Sequence, residues 1–279
     1  MRLVLLGDVD QLPSVGPGQV LHDVIVSEVV AVTRLTEVFR QRGASSIVEN
    51  AHALLRGSIP TSGPDDGDFF VIEARNNAHV RELVRELVAR RIPRRFGFDP
   101  QSDIQVLCPM YRGHAGADAI NQDLQDALNP TGHELARGSR RFREGDKVMQ
   151  VRNDYELDLF NGDTGRIVSV DAGEGAVEVR FGERVIRYPS SDLDALVPAY
   201  AITVHRAQGS EYPAVVVPLT TDHYVMLRRN LLYTAITRGR SLVVLVGPAR
   251  ALEMAVQNHA QNDRHSGLAA RLRARVAAP

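Results

Sequence analysis

Three things are scarce in this chain of 279 residues. Cysteine occurs once, at Cys108, so no intramolecular disulfide can form, and usage this sparse fits a reducing compartment such as the cytoplasm. Lysine also occurs once: of 33 lysines and arginines only Lys147 is a lysine, so any chemistry that requires an ammonium group has one candidate position. Long apolar runs are missing too. None approaches the roughly 18 residues of a membrane helix, and the start shows neither a basic leader nor a cleavage site, so neither a membrane partner nor secretion is expected. A formal net charge of −1 removes bulk basicity as a sign of nucleic acid, but leaves room for a local basic groove.

What is present alternates. "SSIVENAHALLRGSIP" (residues 45–60) reads as a helix with Ile47, Ala51, Leu54 and Leu55 on one face and Ser45 or Ser46 as cap. "DFFVIEA" is a short strand. "NNAHVRELVRELVARRI" carries the stripe Val80, Leu83, Val84, Leu87 and Val88, with Asn77 as cap and Pro93 as terminator. "DIQVLCPMYRG" is a buried strand opening into a loop, and "GADAINQDLQDALNP" is helical. Between residues 142 and 198 the texture changes to short strands, "DKVMQV", "TGRIVSVD", "AVEVRF" and "RVIRYP", separated by Gly- and Asp-rich turns. Such spacing predicts a small antiparallel barrel. Alternation then resumes with a helical "ITVHRAQG", a strand "AVVVPL", a helix "RRNLLYTAITRG", a strand "SLVVLVG" and a helix "ARALEMAVQNHA", before an Arg/Ala-rich tail expected to fray. The expected fold class is α/β, a mostly parallel sheet with an inserted small β-barrel.

Several chemistries are missing. There is no HExxH or CxxC for a metal, no GxSxG elbow, and no glycine fingerprint in strand–helix context. Nor is there a GxxxxGK[ST] phosphate loop, which Lys147 in "EGDKVMQ" cannot supply. The apolar run at residues 3–6 reads as a strand that needs sheet partners, followed by the polar loop "GDVDQLPSVGPG".

Six stretches in order resemble superfamily 1 DNA helicases of the RecD-like branch. "GDVDQLPSVGPG" resembles motif III, "LTEVFRQ" (35–41) motif IV, and "CPMYRG…INQDLQ" the segment that follows. "GDKVMQVRNDYELDLFNGDTG" is similar to the entry into the family's SH3-like barrel, "TVHRAQGSEYP" (203–213) to motif V, and "LLYTAITRGR" (231–240) to motif VI. The resemblance implies four parts: residues 1–33 as the end of a first RecA-like lobe, 34–141 as the first part of a second lobe, 142–198 as the SH3-like barrel, and 199–279 as the remainder of the second lobe. It also implies that the phosphate loop and the Walker B "DE" pair, absent from this sequence, lie upstream. Asp8 follows an apolar run as a Walker B aspartate would, but "DQLP" after it matches motif III instead.

The same resemblance assigns roles. Arg238 stands where the family has its motif VI arginine finger, and Arg40 where motif IV has its arginine; a guanidinium stays charged and presents a planar fork to phosphate oxygens. Gln11 would sense the γ-phosphate, and Gly209 and Glu211 would lie near the ribose. Thr203 and His205, with Pro13 and Val15 of the first loop, would hold single-stranded DNA without reading its sequence. Arg112, Arg152 and Asn153 join that track on loop position and charge alone. Each residue also has a plainer reading: solvated arginines, a turn-capping Gln11, a surface Glu211, a core His205. The implied cofactors are ATP and Mg²⁺, with the metal ligands upstream. The implied partners are single-stranded DNA, duplex junctions and the missing first half, in cis or in trans. The implied activity is ATP-driven 5′→3′ translocation and unwinding, with the isolated chain inactive. The rival is a non-catalytic single-stranded nucleic-acid-binding module.

Overall fold

The computed structural model describes residues 3–13, 16, 18–35, 45–259 and 266–277. In chain order its elements are α1 (Val20–Ser27), α2 (Ser46–Leu55), β1 (Phe69–Glu73), α3 (Asn77–Glu86), a π-helical turn (Leu87–Arg91), α4 (Ile92–Phe96), β2 (Ile104–Cys108) and α5 (Ala117–Leu128). A hairpin of β3 (Glu134–Arg137) and β4 (Arg140–Arg143) follows, then β5 (Lys147–Gln150), β6 (Thr164–Asp171), β7 (Ala176–Phe181), β8 (Arg184–Tyr188) and β9 (Leu196–Pro198). The chain closes with β10 (Ala201–Thr203), β11 (Tyr212–Pro218), α6 (Arg229–Ile236), β12 (Gly239–Gly247), α7 (Ala249–Gln257) and α8 (Leu268–Ala277).

The main sheet is wholly parallel, in the order β1-β12-β11-β2-β10. A parallel sheet is covered on both faces, so its strands read as unbroken apolar runs rather than alternations; Ala214 to Val217 of β11 and Leu242 to Val246 of β12 are buried accordingly. One face carries α2, α6 and α7 over Val215, Val217, Val243 and Leu245. The other carries α3, α4 and α5 over Val106, Val216 and Val244. The second sheet, β8-β7-β6-β5-β9, is antiparallel and encloses its own core of Phe142, Val148, Ile167, Val179 and Leu196. Gly165 lets its strands cross closely: a Cβ there would lie 2.7 Å from the Arg180 carbonyl oxygen.

The two sheets are joined through polar groups. Asp146 is 0% exposed, and its carboxylate accepts from Asn129 Nδ2 (2.8 Å), Tyr200 Oη (3.0 Å), Gln125 Nε2 (2.6 Å) and the Arg143 amide (2.7 Å). Lys147 Nζ donates to Gln105 Oε1 at 2.9 Å, and Gln105 in turn donates to the carbonyls of Ala199 and Tyr200. The sole lysine is therefore a half-buried link between barrel and sheet. Its pKa is pushed down to about 8, first by burial and then by the neighbouring Arg166 cation.

Several local expectations need correction or refinement. The helix from Asn77 does not end at Pro93, because a π turn carries it through to Phe96. Its cap is Asn76, whose side chain accepts from the His79 amide at 2.9 Å, while Asn77 bonds Thr221 instead. Ser45 occupies the N-cap position of α2 as expected, but its side chain makes no capping bond: it donates to Asp68, whose other oxygen accepts from the Ile47 amide. "ITVHRAQG" is a strand end and a turn rather than a helix. The tail is helical over Leu268–Ala277 and rests on α1 through Ser266 to Asp23 and Arg273 to the Ser27 carbonyl. Residues 3–6 are exposed, Leu6 to 93%, and form no strand, since an apolar strand is stable only when paired and covered.

Candidate functional site

The loop after residue 7 is fixed by two distant segments. The Leu12 amide donates to Thr234 Oγ1 on α6 at 2.8 Å, and the Leu12 carbonyl accepts from Gln208 Nε2 at 2.6 Å. The Asp8 carboxylate accepts from Tyr233 Oη (3.1 Å), from Gln11 Nε2 (3.0 Å) and from the Asp10 amide (3.0 Å). Burial and the adjacent carboxylate of Asp8 push the Tyr233 phenol up, so it stays a donor. Burial, then the same carboxylate, pushes the Asp10 carboxyl up.

Arg238 closes this constellation. It sits just past α6, is 7% exposed, and donates through Nε to the Thr234 carbonyl (3.2 Å), through Nη1 to the Ser210 carbonyl (3.1 Å) and through Nη2 to Gln11 Oε1 (3.1 Å). Two backbone carbonyls set the plane of the guanidinium, so its outer edge meets the loop in one orientation. Gln11 is bonded at both ends of its amide, to a cation and to a carboxylate, which is the arrangement of a group whose partners can be exchanged. Gln11, Pro13, His205 and Gly209 line a single cleft of about 1280 Å³ together with Arg228 and Arg229. Gly209 has φ +82° with nothing near its would-be Cβ, so the backbone conformation rather than crowding demands glycine. Glu211 is paired with Arg240 Nε at 2.9 Å on the surface.

A second group forms where β2 and β10 end side by side, with Thr203 paired to Cys108. Thr203 Oγ1 accepts from the Arg206 amide at 3.4 Å, and the Arg206 guanidinium lies 5.9 Å from the centre of the Tyr111 ring. Arg112 is exposed on the same loop as Tyr111. Arg152 and Asn153 are exposed on the loop after β5, where Asn153 Oδ1 accepts from the Asn161 amide at 2.9 Å. No contact joins these two to Thr203 or Arg112 among the described residues. Arg40 and Val15 lie outside the described residues.

Gln208, Tyr233 and Thr234 build the site without having been singled out from the sequence, and Asp8, weighed there only as a Walker B aspartate, joins them in another role. Each lies inside a quoted stretch, and the signal was the hydrogen-bonding side chains between the residues that were picked. Among the described residues no group of three His, Cys, Asp or Glu side chains is placed to hold a metal ion.

A wholly parallel lobe with an antiparallel SH3-like unit inserted between its strands defines the class. Residues 120–181 match the ATP-dependent RecD-like DNA helicase SH3 domain, residues 198–246 the UvrD-like helicase C-terminal domain, and residues 1–68 an AAA domain. The chain is 36% identical over 276 residues to the ATP-dependent RecD2 DNA helicase of Deinococcus radiodurans, covering 98% of this chain and 36% of that protein. It is 31% identical over 295 residues to the RecBCD enzyme subunit RecD of Mycolicibacterium smegmatis, covering 98% and 49%. The crystal structure of Pif1 helicase from Bacteroides in complex with ADP-AlF3 and single-stranded DNA shares the fold, with a TM-score of 0.53 at 18% identity over 89% of this chain and 62% of that one. Over nearly its whole length the chain is similar to RecD-like helicases. It spans half or less of the length of these two sequence relatives.

Proposed function

We propose that this chain is the C-terminal portion of the motor of an ATP-dependent 5′→3′ DNA helicase, which translocates on single-stranded DNA and opens duplex junctions in the cytoplasm. The observation that carries the reading is the 3.1 Å bond from Arg238 to Gln11. It brings the segment resembling motif VI onto the one resembling motif III, with Gln208 of the motif V-like segment holding the same loop.

ATP is the substrate of the relatives' named activity, and the donors gathered at Gln11, on the wall of the cleft, fit its anionic end. Arg238 supplies an oriented, permanently charged fork, and the Gln11 amide supplies a donor beside it. When phosphate draws Arg238 or Gln11 away, the Gln11–Asp8–Tyr233 chain must rearrange, and through Leu12 that change reaches Pro13 and the turn after β10. Thr203, His205, Arg112, Arg152, Asn153, Pro13 and Val15 supply the strand track in this reading, Arg40 a second cation toward phosphate, and Gly209 and Glu211 the ribose end. Glu211 must then leave or share Arg240. Among the described residues no group of side chains fits Mg²⁺, and in this reading its ligands would come from a phosphate-loop lobe supplied in cis or in trans.

The test is turnover after reconstitution with a RecD-like first lobe. DNA-stimulated ATP hydrolysis should fall by about 10³-fold or more in Arg238→Ala, with nucleotide and DNA binding retained. Unchanged turnover in that variant would sink the assignment. Failure of every reconstitution to hydrolyse ATP, with single-strand binding intact, would favour the non-catalytic binding module.

A further inference from the structure

We infer that the exposed arginines of the helix running from α3 through α4 form a second nucleic-acid contact, one that holds the phosphate backbone of a duplex arm outside the single-strand track. The inference rests on the helicase reading above but uses none of its motif residues.

Arg90, Arg91, Arg94 and Arg95 fall within six positions, and no acidic residue lies between Leu87 and Phe98. All four are exposed, as is Arg85 one turn earlier. None of Arg85, Arg90, Arg91 and Arg94 is within ion-pair distance of a carboxylate among the described residues, whereas Arg81 on the same helix is engaged bidentately by Asp123 at 2.7 Å. In a chain with formal net charge −1, this concentrates like charge on the second half of a helix whose acidic residues, Glu82 and Glu86, lie in the first half. Helix-dipole complementarity accounts for cations in the last turn only, which leaves Arg85, Arg90 and Arg91 unexplained.

The backbone helps to present them. The helix widens into a π turn over Leu87–Arg91, and such turns re-aim the side chains that follow. Leu87, Val88 and Ile92 remain buried while Arg90, Arg91 and Arg94 face solvent. Arg95 is pinned: it donates to the Asp65 carbonyl and lies 5.4 Å and 5.3 Å from the ring centres of Phe70 and Phe96. Arg90 to Arg94 spans roughly 6 Å of helix axis at about 1.5 Å per residue, within the reach of neighbouring phosphates, which on one strand rise about 3.4 Å per step along the duplex axis. The helix packs on the face of the sheet opposite α6, so one short strand held near Thr203 and His205 would not account for it; the occupant is duplex beyond that strand.

The experiment compares the chain with the variant R90Q/R91Q/R94Q and with R56Q/R75Q/R250Q, which removes the same charge from exposed arginines elsewhere. Affinity for a short single-stranded oligonucleotide and for the same oligonucleotide joined to a duplex arm is measured against salt. Three lost phosphate contacts should flatten the log–log salt slope for the tailed duplex by about 2.7, leave the oligonucleotide slope unchanged, and not appear in the control variant. Equal slopes in all three proteins would show a solvated helix face and overturn the proposal. An equal loss on both DNAs, or in the control as well, would overturn it too. Weaker binding of an acidic peptide or an anionic vesicle, with DNA slopes unaffected, would assign the surface to that partner instead. If the unsubstituted chain binds neither DNA, the nucleic-acid reading itself falls; if it binds the oligonucleotide and only the duplex effect is missing, the arginine surface alone does.

Discussion

Residue by residue, buried polar groups divide into those the fold satisfies and a few it does not, among them Thr220 and His223. Asp146 has four donors and Arg238 two backbone carbonyls, but His223, 1% exposed, has no hydrogen-bond partner on either ring nitrogen. Burial lowers its pKa below the ordinary 6.5, so the folded chain holds it neutral while the unfolded chain protonates it. Unfolding then takes up a proton, and stability present above pH 6.5 is lost as pH falls toward the folded value. His223→Phe should flatten that part of a stability–pH profile measured by urea unfolding between pH 5 and 7.5; an unchanged slope would remove His223 as its source. Asp146 predicts a simpler loss. Asp146→Ala strands four donors in a dry junction, with an expected cost of roughly 3 kcal/mol in unfolding free energy. A change within about 0.5 kcal/mol would mean that water replaces the carboxylate. Of the site, Arg238, Gln11 and Gly209 were visible because they occur inside ordered strings; Asp8 and Thr234 were not, because their value lies in partners more than two hundred positions away.

At the scale of elements, the loop at residues 8–13 behaves as a piece of α6 and of the turn after β10, although it is remote from both in sequence. Thr234→Val keeps the shape and removes the acceptor for the Leu12 amide. Hydrogen exchange at Leu12 should quicken about fivefold for roughly 1 kcal/mol lost, with core strands such as β11 unaffected; equal protection in both proteins would show that Gln208 alone holds the loop. The main strands were legible because burial on both faces writes them as apolar runs. The barrel strands were legible because turns punctuate them. Short β10 was not: three residues show no period, and its stability comes from β2 beside it. Pro93 misled for a related reason. Proline removes one helical bond, but the preceding π turn rearranges the ladder and packing of Ile92 keeps the helix going. The tail helix depends on contacts with α1, which local composition does not reveal.

In the whole molecule a parallel α/β lobe and an SH3-like barrel are joined through a polar junction, and Arg238 is held in one orientation against the loop at residues 8–13. The described apolar side chains of residues 3–6 are open to solvent, an exposure of the kind that marks contact surfaces. The measurement that bears most directly on the account is ATP hydrolysis by this chain alone, with and without single-stranded DNA, beside single-strand binding by the same preparation and by Arg238→Ala. Binding is expected in both proteins and turnover in neither, because the sequence holds no phosphate loop. DNA-stimulated turnover that Arg238→Ala abolishes would contradict it, since the chain would then hold a complete phosphate site of its own.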